Sequence, residues 1–366
     1  MPSRYRSFRC SVPWLILLLQ ALLLLRSFLG FPGVSDTYSP SNSYPEFQDV
    51  NHMVIFGFGF FLMVLRRYGF SSTGFNFLLV VLGVQCSMLA EDLLVFLRGE
   101  QNEVGLESLA RAFVSVTAVV ISTGAVLGRA NPVQLIVMTL VELTFFYVSR
   151  YINERFLEVP APLTGMHVYL FGAYFGLALA SRFPEAPPGL DKSRSTPKSE
   201  LFSVLGTVFV WVFWPSFNSI LPFLKMQAVI NTYLALAVSA VAAFMLSALT
   251  SKDGKFRMRC FNPALKLQDT SGVHFTFGLP AVLGAVATVV LIVVEDGIDT
   301  RWNELSRLGY DAFVYIGAFC QTISTALITG LITGLILNIK LLKAVHVSKY
   351  FDDQFYWEFP HLSVGF

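Results

Sequence analysis

The sequence is short of charge. Asp, Glu, Lys and Arg make up 14% of its 366 residues, where a soluble domain carries about 25%. So little polar surface cannot cover a water-facing exterior, which excludes an ordinary soluble fold. Charge of one sign is lacking too. The net charge is +2, so there is no basic excess of the kind that binds nucleic acid. Cysteine is scarce: Cys10, Cys86, Cys260 and Cys320 are all there are. They form no CxxC pair and no Cys/His metal spacing, which argues against a disulfide framework or a bound metal. No P-loop, HExxH, GxSxG or glycine-rich cofactor motif occurs, so no enzyme and no cofactor is expected. Sequons are absent as well. Asn42-Ser43-Tyr44 and Asn231-Thr232-Tyr233 fail at the third position, and the chain is expected to carry no N-glycan.

Apolar length is what the chain has in abundance. Hydrophobic residues reach 54% and mean hydropathy is +0.61. Apolar runs cover about Pro13–Phe31, Val50–Leu65, Gly74–Leu97, Ser108–Gly128, Pro132–Val148, Thr164–Ala180, Leu201–Phe223, Ala228–Leu249, Gly272–Val294 and Ala312–Leu342. Most reach the roughly 20 residues a helix needs to cross a bilayer. They predict an all-α polytopic membrane protein of about ten spans, its outside facing lipid. The second run is short, which predicts tilt or snorkelling flanks. The first, with basic residues before "WLILLLQALLLL", has a cleaved signal peptide as its rival reading. No small-residue cleavage site follows, and the run continues past Arg26.

Lysine and arginine placement predicts orientation. With Arg4, Arg6 and Arg9 in the cytoplasm, 18 basic residues fall inside and seven outside, Arg26 lying within the first span. Both termini are therefore expected to be cytoplasmic. The domains follow: 1–12 a cytoplasmic N-terminus, 13–342 the membrane domain with a cytoplasmic loop at 181–200, and 343–366 a cytoplasmic tail. That loop, "PEAPPGLDKSRSTPKSE", is rich in proline and charge.

Polar residues within spans carry the information, because burying them in lipid is costly. Glu91 and Asp92, a paired acidic site in the third run, are read as lying near the outer water interface at its end, with an ion site as the alternative. Glu142, mid-run in "LIVMTLVELTFF", should face the bundle and find a hydrogen-bond partner. His167, Tyr169 and His274 lie in apolar runs, where a histidine is commonly a packing residue. Gly172/Gly176 and Gly330/Gly334 are GxxxG pairs that allow close helix approach. Phe217 and Asn218 in "FWPSFNS" suit either a pore lining or packing.

Several of these stretches resemble signatures of the ammonium transporter and Rh family. "ISTGAVLGR", "HVYLFGAYFGL", "VFWPSFNS", "INTYLALAVS" and the tail "KYFDDQFYWEFPHLSVGF" occur in order. The tail and the start "RYRSFRC" are most similar to the unglycosylated Rh blood-group branch. The resemblance implies a trimer with one narrow pore per subunit. Conducting members line that pore with two facing histidines below a phenylalanine gate, and an aspartate supports the first histidine's span. Residue by residue, the second histidine corresponds to His274 and the first to Tyr169. The aspartate corresponds to Ala161, and the inner gate to Phe217, followed by Asn218. The outer gate falls on or near Val114, beside Phe113. The lost histidine and aspartate imply a plugged or poorly conducting pore.

Family members also have two further spans where "KDGKFRMR" here runs straight into "CFNPALKLQDTSGVH". About 40–50 residues, a helix pair and its turn, are missing near 259–260 relative to the twelve-span family pattern. The resemblance implies partners too. One is the Rh-associated glycoprotein or a like Rh subunit in a trimer, in an erythrocyte-type plasma-membrane complex. Another is ankyrin or the cytoskeleton, through the tail residues Phe351, Asp352, Asp353 and Trp357, with a tail folded under the bundle as the alternative. Cys10, just before the first span, is a candidate for palmitoylation. Three functions stay open: a subunit of a complex associated with ammonium transport, a channel conducting ammonia or carbon dioxide itself, and a non-productive truncated isoform.

Overall fold

A computed structural model describes residues 6–30, 44–98, 106–159, 164–186, 191–221, 225–251, 269–299, 305–339, 342 and 345–358. The order is α1 (Arg6–Gly30), α2 (Tyr44–His52), a π-helical turn (Met53–Gly57), α3 (Phe58–Phe61), α4 (Gly69–Arg98), α5 (Leu106–Ala125), α6 (Pro132–Phe156), α7 (Thr164–Ala180), α8 (Pro197–Ser219), α9 (Lys225–Thr250), a second π-helical turn (His274–Gly278), α10 (Leu279–Asp299) and α11 (Leu305–Leu337). Among the described residues, seven helices are long and apolar enough to cross a membrane, and Val12–Leu25 and Met166–Ala180 are shorter apolar helices. With the continuous stretch α2–π–α3 they account for the ten expected segments.

Local chemistry sets the ends. Asn131 caps α6 in a reciprocal box with Gln134, with Pro132 at the first helical position. Thr196, Pro197 and Ser199 repeat the device at α8, satisfying amides the helix cannot. That box starts α8 at 197, so the loop expected over 181–200 is shorter. The second span begins earlier than expected, at Tyr44, and ends at Phe61. The tenth ends at Leu337 rather than Leu342, where Asn338 Nδ2 donates to the carbonyls of Gly334 (2.9 Å) and Arg182 (2.8 Å).

Glycine-mediated contact builds the centre. A Cβ on Gly172 would lie 2.6 Å from the Ala118 carbonyl oxygen, and one on Gly176 would lie 2.7 Å from Ser122 Cα. One on Gly330 would lie 2.5 Å from the Phe175 carbonyl oxygen. Both GxxxG pairs thus seat α7 between α5 and α11, backbone against backbone, as small residues permit in lipid. α1 meets α4, where the Gln20 and Gln85 side chains pair at 2.9 Å. α9 packs on α8, and no residue of its most apolar stretch is buried. Residues 252–268, which include the Arg259–Cys260 junction, lie outside the described residues.

Candidate functional site

Tyr169 of α7 stands where three helices converge. Its hydroxyl donates to Asn218 Oδ1 of α8 (2.6 Å), and Asn218 Nδ2 donates to Thr232 Oγ1 of α9 (3.3 Å). Its ring stacks on Trp214 (5.2 Å between centroids) and on Phe217 (6.0 Å). Trp214 also leans on Phe277 in the second π-helical turn (6.1 Å), and Phe277 stacks on Phe58 at the end of the first (5.7 Å). The two π-helical turns, Met53–Gly57 and His274–Gly278, each end in Phe-Gly, and such turns are frequent at functional sites. Together these side chains form a packed aromatic column. A phenol hydroxyl offers one donor there, but unlike imidazole it does not exchange protons near neutral pH.

His274 occupies a separate station. Asp269 fixes its backbone by accepting from the N–H groups of Gly272 (2.9 Å) and His274 (2.8 Å). The imidazole lies edge-on to Tyr174 (6.3 Å), and its buried Nδ1 has no hydrogen-bond partner among the described residues. No ring contact or hydrogen bond joins His274 to Tyr169 among those residues. Val114, buried in α5, is level with Val168 when the Ala118–Gly172 register is extended by one turn. Phe113 beside it meets Phe47 edge-on at 5.5 Å. Ala161 lies outside the described residues, as do Cys260 and the Cys10 side chain; Cys86 and Cys320 are unpaired thiols.

The buried polar residues are structural in their contacts. Glu142 is fully buried and accepts from Ser122 Oγ, which also contacts the Gly172 carbonyl (2.8 Å). Glu91 is buried between helices and ion-paired with Arg150. Arg150, which is one of the seven basic residues expected outside the membrane, lies inside α6 and also binds Glu154 (2.8 Å). α6 turns that cation inward to meet α4. His167 Nδ1 shares a hydrogen bond with Thr322 Oγ1 of α11 (2.7 Å).

The tail folds against the bundle. Asp353 accepts from the first amides of α4, Phe70 and Ser71 (2.9 Å each), and its own N–H donates to the Arg67 carbonyl (2.8 Å). It caps that helix from 283 residues away. Burial pushes the Asp353 carboxyl above its ordinary range, against the lowering effect of these hydrogen bonds. Asp352 binds Lys192 Nζ (2.6 Å). Trp357 donates to Ser71 Oγ (3.0 Å) and packs against Phe75. Phe351 is buried, its N–H bonded to the carbonyl of Gly128 (2.9 Å), a residue with φ +79°. An adaptor contact through these four side chains therefore requires the tail to undock.

The Ammonium Transporter Family profile matches residues 16–260. The chain belongs to that family. It is 37% identical over 421 aligned residues to an RH-like protein of Macaca mulatta, covering all of both chains. It is 34% identical over 428 residues to the Blood group Rh(D) polypeptide of Rattus norvegicus, again end to end. The fold is similar to that of Rh50 from Nitrosomonas europaea, of the Rhesus protein family of channels. The TM-score is 0.70 at 24% identity, over 88% of this chain and 93% of that one. Within this family member, sequence reasoning picked out Tyr169, Phe217, Asn218 and His274. It missed Trp214 and Phe277, which complete the column, and Asp269, which caps the second π-helical turn. The Trp214/Phe217 spacing of three, one helical face, and the Asp269-x-x-Gly272 cap pattern were the available signals.

Proposed function

We propose that this Rh-type chain is a subunit of an oligomeric plasma-membrane complex associated with ammonium or ammonia transport, and that its own pore conducts poorly. The observation that carries this reading is Tyr169, stacked on Trp214 and Phe217 and tied through Asn218 to Thr232. At the position where conducting relatives are expected to offer imidazole, this chain has a tyrosine whose ring is held by its aromatic neighbours, which supports a blocked path. Selective pores of this kind need a narrow way through lined by exchangeable donors. The proposed partner is a glycosylated Rh relative in a trimer. The basic-residue bias supports both termini being cytoplasmic.

In stopped-flow measurements, liposomes holding only this chain are expected to take up ammonia no faster than empty ones, while the chain co-purifies with an Rh glycoprotein. Uptake at a conducting relative's rate overturns the reading. A second reading, direct conduction of ammonia or carbon dioxide, draws on the unpartnered Nδ1 of His274. It fails if His274→Ala leaves transport unchanged. A third, a non-productive isoform, draws on two facts: α9 buries none of its most apolar stretch, and the 421-residue alignment exceeds the chain's 366 residues by 55. Normal cell-surface labelling contradicts it.

A further inference from the structure

Beside the docked tail lies a cavity of about 930 Å³, open to the outside between the end of α3, the start of α4 and the start of α8. Its lining has two kinds of surface. Three cations line it: Arg66 is engaged in an interaction of its own, while Arg67 and Lys198 are exposed on the rim and neither has a carboxylate partner among the described residues. Phe60 and Phe202 stack at 6.1 Å and 18° along its wall, with Met63 and Trp357 nearby. Asp352 and Asp353 also border the space, but Lys192 neutralises the first and two α4 amides hold the second. The helix starts are already capped, by Asp353 at α4 and by Thr196 and Ser199 at α8, so the two rim cations are the groups left to recognise an anion. The apolar wall does not stop at the mouth. Phe202 is part-exposed and continues into Leu201 and Leu205, which face outward on α8 at 60% and 52% exposure. One ligand chemistry matches a cationic rim that runs into a bare apolar helix face: a phosphate anion carrying acyl chains.

We propose that this cavity binds one anionic phospholipid of the adjacent leaflet. The phosphate lies at Arg67 and Lys198, and a chain runs out over Phe202 and Leu205. A basic patch attracts anionic lipid where the membrane surface is negative, and aromatic rings are favoured at that depth. Binding in detergent does not depend on which way the chain faces or on whether it conducts, so this proposal and the functional one fail independently.

The test uses the full chain in a neutral detergent and three probes: phosphatidylserine, phosphatidylcholine, and glycerophosphoserine, which is the headgroup without chains. Phosphatidylserine is expected to saturate one site and to bind at least about tenfold more weakly to Arg67→Gln/Lys198→Gln. Arg182→Gln, elsewhere on the same face, should leave it unchanged. On the unaltered protein, raising the salt concentration should weaken phosphatidylserine binding, a reading that needs no variant to fold. Equal binding of phosphatidylcholine, indifference to salt, or wild-type affinity in a folded double variant overturns the proposal. Competition by glycerophosphoserine at the same concentration as the lipid also overturns it, and assigns a soluble phosphate ester instead.

Discussion

Replacing Arg150 by methionine should be the most damaging single change where α6 meets α4. Arg150 is 8% exposed and Glu91 6% exposed, and they form an ion pair between α6 and α4. Methionine fills similar volume, so packing loss is small and the effect is electrostatic. Without the arginine, Glu91 keeps among the described residues only the Tyr147 hydroxyl (3.2 Å), which also lies 3.1 Å from Ser115 Oγ. Ser115 spends its own proton on the Arg111 carbonyl (2.9 Å). One tyrosine proton must then serve both acceptors, and the carboxylate is left under-satisfied. Breaking a buried pair from one side costs about 3–5 kcal/mol. Removing both charges, as Glu91→Leu/Arg150→Met, removes the buried Glu91 orphan, while the more exposed Glu154 loses Arg150 in both variants; the double change should therefore recover part of that loss, for a coupling of about 2–3 kcal/mol. Unfolding of the detergent-solubilised protein by a denaturing-surfactant titration gives the four corners of the cycle. If Arg150→Met lies within about 0.5 kcal/mol of wild type, or if the two single effects simply add, the pair does not hold these helices together.

The tail and the central helix give four further predictions. A Cβ on Gly74 would lie 2.4 Å from the Trp357 ring, so Gly74→Val should evict Trp357 and expose residues 345–358 to limited proteolysis. Asp353→Ala leaves the Phe70 and Ser71 amides without their acceptor and should weaken tail docking by about 1–3 kcal/mol, read by the same proteolysis. Because burial raises the Asp353 carboxyl, the docked tail favours its protonated form. Docking should therefore tighten as pH falls toward the free carboxyl's 3.8 and loosen as pH rises through the raised value; tail cleavage that increases on acidification contradicts this. Gly172→Leu must push α5 off the α7 backbone and is expected to abolish recovery of monodisperse protein in size-exclusion chromatography.

Much of the architecture was legible in the chain because it depends on neighbours in sequence. The ten apolar runs and the two GxxxG pairs rest on length and side-chain size within one segment. The helix ends moved by several residues where a distant group intervened, as at Asn338, whose amide reaches the Arg182 carbonyl. Candidate site residues were found where resemblance supplied the positions. Their neighbours Trp214 and Phe277 were not, because stacking on Tyr169 or on one another depends on how α8, α7 and the second π-helical turn pack.

Sequence alone determined that this chain lives in lipid, as helices whose small residues let them touch, because charge content and spacing need no partner to act. Tertiary structure decided which buried charge meets which: Glu91 with Arg150, Asp353 with the start of α4. It also decided that Tyr169 sits in a packed aromatic column rather than in open space. Those pairings join residues tens to hundreds of positions apart, and only the crossing of helices brings such groups within reach of a hydrogen bond.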